Sequence, residues 1–448
     1  MRFLHTSDWH LGVSLNFVDC QPEQELFLQW LVTTLRERAV EVLVIAGDIF
    51  HYSNPSNAAQ KLYYEFLRDC TEIATLRAIV VVAGNHDSAS GLEAPRQLLQ
   101  LFNMHVVGAL SSDPHSWAEQ CLVPVTGVSG AVELVIAAVP YVQEARLGVS
   151  LREGGESQLR EQYTRAFAQL YSRLADAAQQ RWPGAQLIAT GHLTVYHNAA
   201  KEAKKGDYHS PIHRTRRPRA GEGDAEYSDV IGTIEAMGPD IFDPRFRYIA
   251  LGHIHRPMPV TGARHIRYCG TPIATSVDDR EPARQVLLVD IDGEDPAAEV
   301  GIETIKVPVW REVFKLEGSR AELSEALRNL HTDGSLAPAL FLTVILGPDE
   351  VSGVSHLEHF QAILQKSHSP GRAPVVAELT QRRDVLADGG APAPSLGPVE
   401  ELTMPEVFEA LYRHKNPDKS SPSAGLLAKF SEIHQQFLDS DASSRGES

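Results

Sequence analysis

Residues 42–51 read VLVIAGDIFH, five apolar residues closed by Gly47, Asp48 and, three positions on, His51. A short apolar run ending in a glycine turn fits a strand buried on both faces, with a carboxylate at its carboxyl end. The pattern recurs. LHTSDWH (4–10) carries Asp8 and His10, and VVAGNHD (81–87) carries Asn85, His86 and Asp87. IATGH (188–192) ends in His192, and IALGHIH (249–255) holds His253 and His255. In four of the five a glycine (Gly47, Gly84, Gly191 or Gly252) directly precedes the polar residue. Glycine there lets the chain turn sharply and approach a bound group closely. Open α/β sheets gather their strand carboxyl ends on one edge, where ligands bind. Two Asp, one Asn and at least four His are therefore expected on one rim. Each motif alone is as ordinary as a turn or a cap. Five in succession, each after an apolar run, point to a metal centre. The donor types suit manganese, iron or zinc, and the lack of paired thiolates disfavours structural zinc. A carboxylate shared between two such ions makes a centre suited to displacement at a phosphate ester.

Working outward, apolar runs at 42–46, 79–83, 134–139, 187–189, 248–251 and 286–291 alternate with helix-length stretches at 22–38, 58–71 and 158–180. This alternation predicts a layered α/β domain over residues 1–300. A strand at 305–316, a helix at 321–330, a strand at 339–346, a helix at 355–365 and a strand at 375–379 predict a smaller α/β unit over 301–388. GGAPAPSLGP at 389–398 reads as a linker, assigned to 389–402. A helical tail is expected at 403–440. It opens on a Thr403–Glu406 capping box, with Phe408, Leu411 and Tyr412 on one face, then Leu426, Phe430, Ile433 and Phe437. Two readings of the tail stay open: helices folded back on the parent domains, or a tethered clip for a partner.

The chain has 448 residues and a formal charge of −17, with 43% hydrophobic and 22% charged residues. Ordinary globular usage excludes wholesale disorder, and the length suggests two or three domains. Four scattered cysteines exclude a disulfide scaffold. MRFLHTSDWH lacks a signal-peptide pattern, and no apolar run reaches the roughly 18 residues of a membrane span. A soluble, cytoplasmic protein with no membrane partner is expected. The acidic balance argues against coating DNA by bulk electrostatics. Locally the sum reverses. Residues 201–219 hold seven Lys/Arg against Glu202 and Asp207, a charge of +5. Arg214, Arg216, Arg217 and Arg219 are candidate substrate-binding residues, the other reading being a solvated basic loop.

DWH, GDIFH, GNHD, GH and GHIH together resemble the signature of the calcineurin-like metallophosphoesterases. LHTSDWHLG, the His in GDIFH, and RYIALGHIHRP followed by IRYCGTPIATSVDD resemble, more narrowly, the SbcD-type nuclease subunits of bacterial SbcCD complexes, over nearly the whole chain. The resemblance implies a four-layer α/β/β/α sandwich, a smaller α/β capping domain and a C-terminal helical tail. It implies a metal-dependent phosphodiesterase acting in DNA repair and recombination: a 3′–5′ exonuclease on duplexes and an endonuclease on single strands and hairpins. Asp8, His10 and His255 would bind a first divalent ion and Asn85, His192 and His253 a second, with Asp48 bridging. Manganese is the first choice, with iron or zinc as alternatives. His86 would contact the scissile phosphate and protonate the leaving oxygen. Asp87 would hold that imidazole. His51 would position the phosphate, its other reading being a hydrogen bond to the loop backbone.

The implied partners are DNA, an SbcC-type SMC-like ATPase in a heterotetramer with two nuclease chains, and a second copy through the nuclease domain. Leu62, Tyr63, Phe66 and Leu67 on the 58–71 helix are candidates for that dimer face, plain core packing being the other reading. The rival function is a stand-alone metallophosphoesterase for cyclic nucleotides or phosphoproteins. It shares the metal centre but leaves the smaller unit and the tail without a purpose.

Overall fold

The structure, a computed structural model, describes residues 1–147, 149, 156–195, 237–280, 284–292, 295, 298–347, 355–369, 372–383, 412 and 430. Met1–Asp384 forms one compact unit and Val385–Ser448 a second. The basic insertion 201–219, the linker and the tail helices lie, Tyr412 and Phe430 apart, outside the described residues.

Two six-stranded sheets face each other. In the first the order is Gly301–Lys306, Gln285–Asp290, Arg2–Thr6, Val42–Ala46, Ala78–Val82 and Met104–Val107. In the second it is Met258–Val260, Ala263–Tyr268, Phe246–Gly252, Gln186–His192, Val132–Ala137 and Leu122–Thr126. The central strands of each are parallel. Phe3 pairs with Val42 and Val42 with Ala78, while Gly252 pairs with His192.

Alternation along the strands sorts the side chains onto two faces. Phe3, Val42, Val44, Val80 and Val82 point between the sheets, where Phe3 meets the ring of Tyr248 edge-on at 5.4 Å. Leu4, Leu43, Ile45, Ile79 and Val81 point outward onto the helices Gln21–Glu37 and Asn57–Cys70. The 26-residue helix Glu156–Arg181 packs Phe167, Leu170, Tyr171 and Leu174 against the second sheet. The result is the expected α/β/β/α order of layers. Each large apolar side chain removed from water contributes roughly 1.5–3 kcal/mol, so these interfaces hold the layers together.

Tyr63, Phe66 and Leu67 are buried in that packing, with Phe66 edge-on to Trp9 at 5.2 Å. These three are core residues, which corrects their candidacy for a dimer face, while Leu62, the fourth candidate, is half-buried against the same core. Among the described residues near them in sequence, the large apolar side chains left exposed are Tyr52, Tyr64, Leu98, Leu101 and Phe102.

The strand expected at 305–316 is two strands. Gly301–Lys306 closes the edge of the first sheet, and Val313–Gly318 begins a separate three-stranded parallel sheet with Ala339–Leu346 and Val375–Arg383. Pro308, which has no N–H to donate to a ladder, falls in the break. One face of the third sheet packs Leu340, Leu342 and Val344 on the helices Arg320–Arg328 and His356–Ser367. Its other face, with Ala339, Phe341 and Ala377, packs on Val13, Leu15, Val18 and Ala274 of the larger body.

Candidate metal centre

The five strand ends meet on one rim. Strands Arg2–Thr6, Val42–Ala46 and Ala78–Val82 are neighbours in the first sheet, and Gln186–His192 and Phe246–Gly252 are neighbours in the second. After Thr6 the chain folds Trp9 into the core against Phe27 and Phe66. Asp8 and His10, its two neighbours, turn to the rim. Asp8, His10, Asp48 and His253 all adopt positive φ, at 54°, 47°, 50° and 90°. Non-glycine residues rarely do so, and such backbone strain clusters where a site dictates the geometry.

The glycines explain how so many groups fit. Gly47 has φ 93°, and a Cβ there would lie 2.2 Å from His192 Nδ1. At Gly84 a Cβ would lie 2.0 Å from Asp48 Oδ1, and at Gly252 1.9 Å from the carbonyl of Ala46.

Asp48 is the hub. Its Oδ2 lies 3.4 Å from His10 Nε2 and 3.4 Å from His192 Nε2, and its Oδ1 accepts from the His86 N–H at 2.9 Å. On one side, His10 Nε2 and His255 Nε2 face each other at 3.0 Å, with the Asp8 carboxylate in the same cluster. On the other, Asn85 Oδ1 lies 3.1 Å from His192 Nε2 and 2.9 Å from His253 Nδ1. His192 Nδ1 donates to the Ala46 carbonyl at 2.9 Å, which leaves Nε2 free to act as a ligand.

The electrostatics of the cluster favour cations. Asp8 is wholly buried and Asp48 is 2% exposed, yet no described ion pair gives either one a Lys or Arg. Desolvation pushes the Asp8 carboxyl up. At Asp48, His192 and His10 overcome desolvation and pull the carboxyl well below its usual range. Asp48 in turn raises His192 to about 9 against desolvation. Burial lowers His10 strongly and His253 to about 3, which favours the neutral, ligating imidazole. Divalent ions would supply the charge these buried carboxylates lack, and the donor set of imidazole, carboxylate and amide oxygen fits them.

His86 lies beside this cluster, its ring 4.9 Å from that of His10. Its Nδ1 donates to the main-chain carbonyl of His51 at 2.8 Å. Asp87 does not hold the imidazole, contrary to expectation. Its carboxylate accepts from the backbone N–H groups of Gly84 (2.8 Å), Phe50 (2.9 Å) and Ile49 (3.1 Å). Asp87 thus ties the loop after Asp48 to the loop that carries His86. Desolvation, then repulsion from Asp48, pushes its carboxyl up to about 6. The His51 ring stands 3.3 Å from His10, Nδ1 to Nδ1. His10, His51 and His86 make a third cluster close enough to share an ion.

Three contributors carry no mark in the sequence pattern. Thr275 Oγ1 and Asp279 Oδ1 lie 3.1 and 3.5 Å from His255 Nδ1. The hydrogen bond and charge of Asp279 raise His255 against desolvation. The Ser7 hydroxyl donates to Asp8. Thr275 and Asp279 stand within IRYCGTPIATSVDD, a segment whose resemblance assigns no role to any single residue.

With this geometry in hand, the similarities are specific. The profile of the calcineurin-like phosphoesterases matches residues 1–257. The chain is 29% identical to the D subunit of nuclease SbcCD from Escherichia coli (strain K12), with 94% of each chain covered. It is 34% identical to the corresponding SbcCD nuclease chain of Rhodobacter capsulatus, covering 65% of this chain and 67% of the relative. For that of Bacillus subtilis the figures are 29%, 71% and 70%.

Proposed function

The chain belongs to the calcineurin-like phosphoesterase family, and we propose that it is a metal-dependent DNA nuclease subunit of the SbcD type. One observation carries the reading: a buried carboxylate, Asp48 Oδ2, stands 3.4 Å from an imidazole nitrogen on either side. A carboxylate so placed would be shared by two ions, one held on each side. Asp8, His10 and His255 would hold the first with Asp48, and Asn85, His192 and His253 would hold the second with it. Two divalent ions, manganese by first choice, when bound lower the pKa of water and neutralise charge on phosphate oxygens.

The chain's own groups do the rest. The His86 Nδ1–H donates to the His51 carbonyl, so Nε2 is the atom left to exchange a proton with the departing oxygen. Asp87 fixes the loops that present Asp48 and His86. The His51 ring extends the row of imidazoles beyond His10 and helps seat the phosphate.

The substrate is DNA, cut from duplex ends and at hairpins, with the arginines of 201–219 tracking phosphates. The third sheet caps the cleft, the tail docks on an SMC-like ATPase of the SbcC type, and two nuclease chains join that complex. The exposed Leu98, Leu101 and Phe102 give a second copy an apolar face. Among the described residues no helix is long and apolar enough to cross a membrane.

The test compares hairpin-ended duplex DNA with a small bis-phosphodiester in Mn2+, with and without the ATPase subunit. Cleavage of the duplex supports the nuclease. Turnover of the small ester alone would favour the stand-alone phosphoesterase.

A further inference from the structure

The hydrogen bonds that orient the two metal positions come from different parts of the fold. For the second position they stay within the two facing sheets. His192 is held by the Ala46 carbonyl, and Asn85 lies against His192 and His253.

For the first position they lead elsewhere. His255 Nδ1 faces Thr275 Oγ1 and Asp279. Asp279 Oδ2 accepts from the Thr275 N–H at 3.0 Å, the Thr275 hydroxyl at 2.6 Å and the Ser276 N–H at 2.9 Å. The Arg284 guanidinium donates to the Asp279 carbonyl at 3.0 Å. The His10 carbonyl accepts from Gln24 Nε2 at 3.0 Å, and Gln24 Oε1 accepts from the Gly12 N–H at 3.1 Å.

The turn that carries Asp279 and the hairpin after His10 both rest on the third sheet. Its strand Val313–Gly318 packs against the turn Val277–Arg280, and Val277 and Ala274 share a cluster with Val313, Phe341 and Ala377. The hairpin that follows His10 puts Val13, Leu15 and Val18 into the same cluster, and Asn16 donates to the Ala377 carbonyl at 3.2 Å. Next to Gln24, Glu23 forms a buried two-bond ion pair with Arg311, at 2.7 and 2.9 Å. Arg311 also donates to the carbonyl of Ala337, just before the strand Ala339–Leu346.

We infer that Thr275 and Asp279 are positioning residues for His255, and that the third sheet, by holding their turn and the hairpin after His10, sets the geometry of the first metal position alone. A carboxylate and a hydroxyl on the far nitrogen fix the tautomer and direction of a ligating imidazole. A shift of the third sheet would therefore move the supports of His255 and His10 and leave those of His192, Asn85 and His253 in place. The inference rests on the two-metal reading above.

Mn2+ titration of the full-length chain by calorimetry tests it, with thermal melts as a folding control. Asp279→Asn and Thr275→Val are expected to weaken one of two binding steps by about ten- to a hundredfold. Thr275→Ser, which keeps the hydroxyl, is expected to match wild type. Val313→Ala, a change in the third sheet, should weaken the same step to a smaller extent. Repeating the titrations in a His253→Ala background assigns that step to the first position, because the second is then impaired at the outset. Equal weakening of both steps, no weakening of either, or a Thr275→Ser variant as poor as Thr275→Val would overturn the inference. A wild-type chain that binds no Mn2+ would instead overturn the two-metal reading, and this inference with it.

Discussion

His86 donates its Nδ1 proton to the main-chain carbonyl of His51, 2.8 Å away. A carbonyl can only accept, so this bond selects one tautomer without drawing on a neighbouring charge. It also means that the group orienting His86 survives substitution of the His51 side chain.

Removing the imidazole should therefore remove chemistry and nothing else. His86→Ala is expected to keep the metal content of wild type and to lose at least about a hundredfold in cleavage rate, the usual share of a positioned proton donor. Elemental analysis beside a nuclease assay reads both. A metal-depleted His86→Ala chain would show that the residue is a ligand, as the His10, His51 and His86 cluster allows.

Asp87 gives the opposite signature. Its carboxylate gathers three backbone N–H groups of two loops, one of them leading from Asp48. Asp87→Ala leaves those donors without their partner, at a cost of about 1–3 kcal/mol for each group that stays buried. The expected outcome is a lower melting temperature together with loss of bound metal, since the loop after Asp48 is no longer tied to the loop that carries His86. A variant with full metal content and defective cleavage would restore the role of Asp87 as the partner of His86.

How much of this was legible in the sequence follows from what kinds of groups are involved. Side chains after apolar strands announce themselves, and Asp8, His10, Asp48, Asn85, His192, His253 and His255 converge as that pattern predicts. So do the glycines, three of which stand where a Cβ would strike a ligand or the Ala46 carbonyl. A main-chain carbonyl has no residue type, so the partner of His86 could not be read, and the adjacent Asp87 was its obvious substitute. Asp279 lies 24 positions beyond His255 in a polar segment with no periodicity to mark it. The strand expected at 305–316 failed because an apolar run does not record which sheet it joins; Pro308 was the available sign of a break.

Gly84→Ala tests the crowding directly. A Cβ 2.0 Å from Asp48 Oδ1 cannot be accommodated without moving the carboxylate. Loss of bound metal is expected from this single methyl group, measured by elemental analysis. A Gly84→Ala chain with wild-type metal content would show that the loop has slack that the structure does not display.

A pH dependence follows from His5, which is fully buried beside the hydroxyl of Tyr248. Desolvation lowers its pKa to about 3 from the ordinary 6.5. The unfolded chain then binds a proton below pH 6.5 that the folded chain refuses, so this group's contribution to stability falls as pH drops from 6.5 toward 3. Urea unfolding in EDTA at about pH 7 and about pH 4.5 should show His5→Asn losing less stability than wild type, by up to about 1.4 kcal/mol per pH unit. Parallel losses in the two chains would remove His5 as the cause.

Asp48 is proposed to serve two divalent ions on which DNA cleavage depends. Counting Mn2+ equivalents in wild type and Asp48→Asn, and assaying both on hairpin-ended duplex DNA in the presence of the ATPase subunit, tests it most directly. Two equivalents and cleavage are expected for wild type, and at most one equivalent with no cleavage for Asp48→Asn. An Asp48→Asn chain that binds two equivalents and still cuts would contradict it.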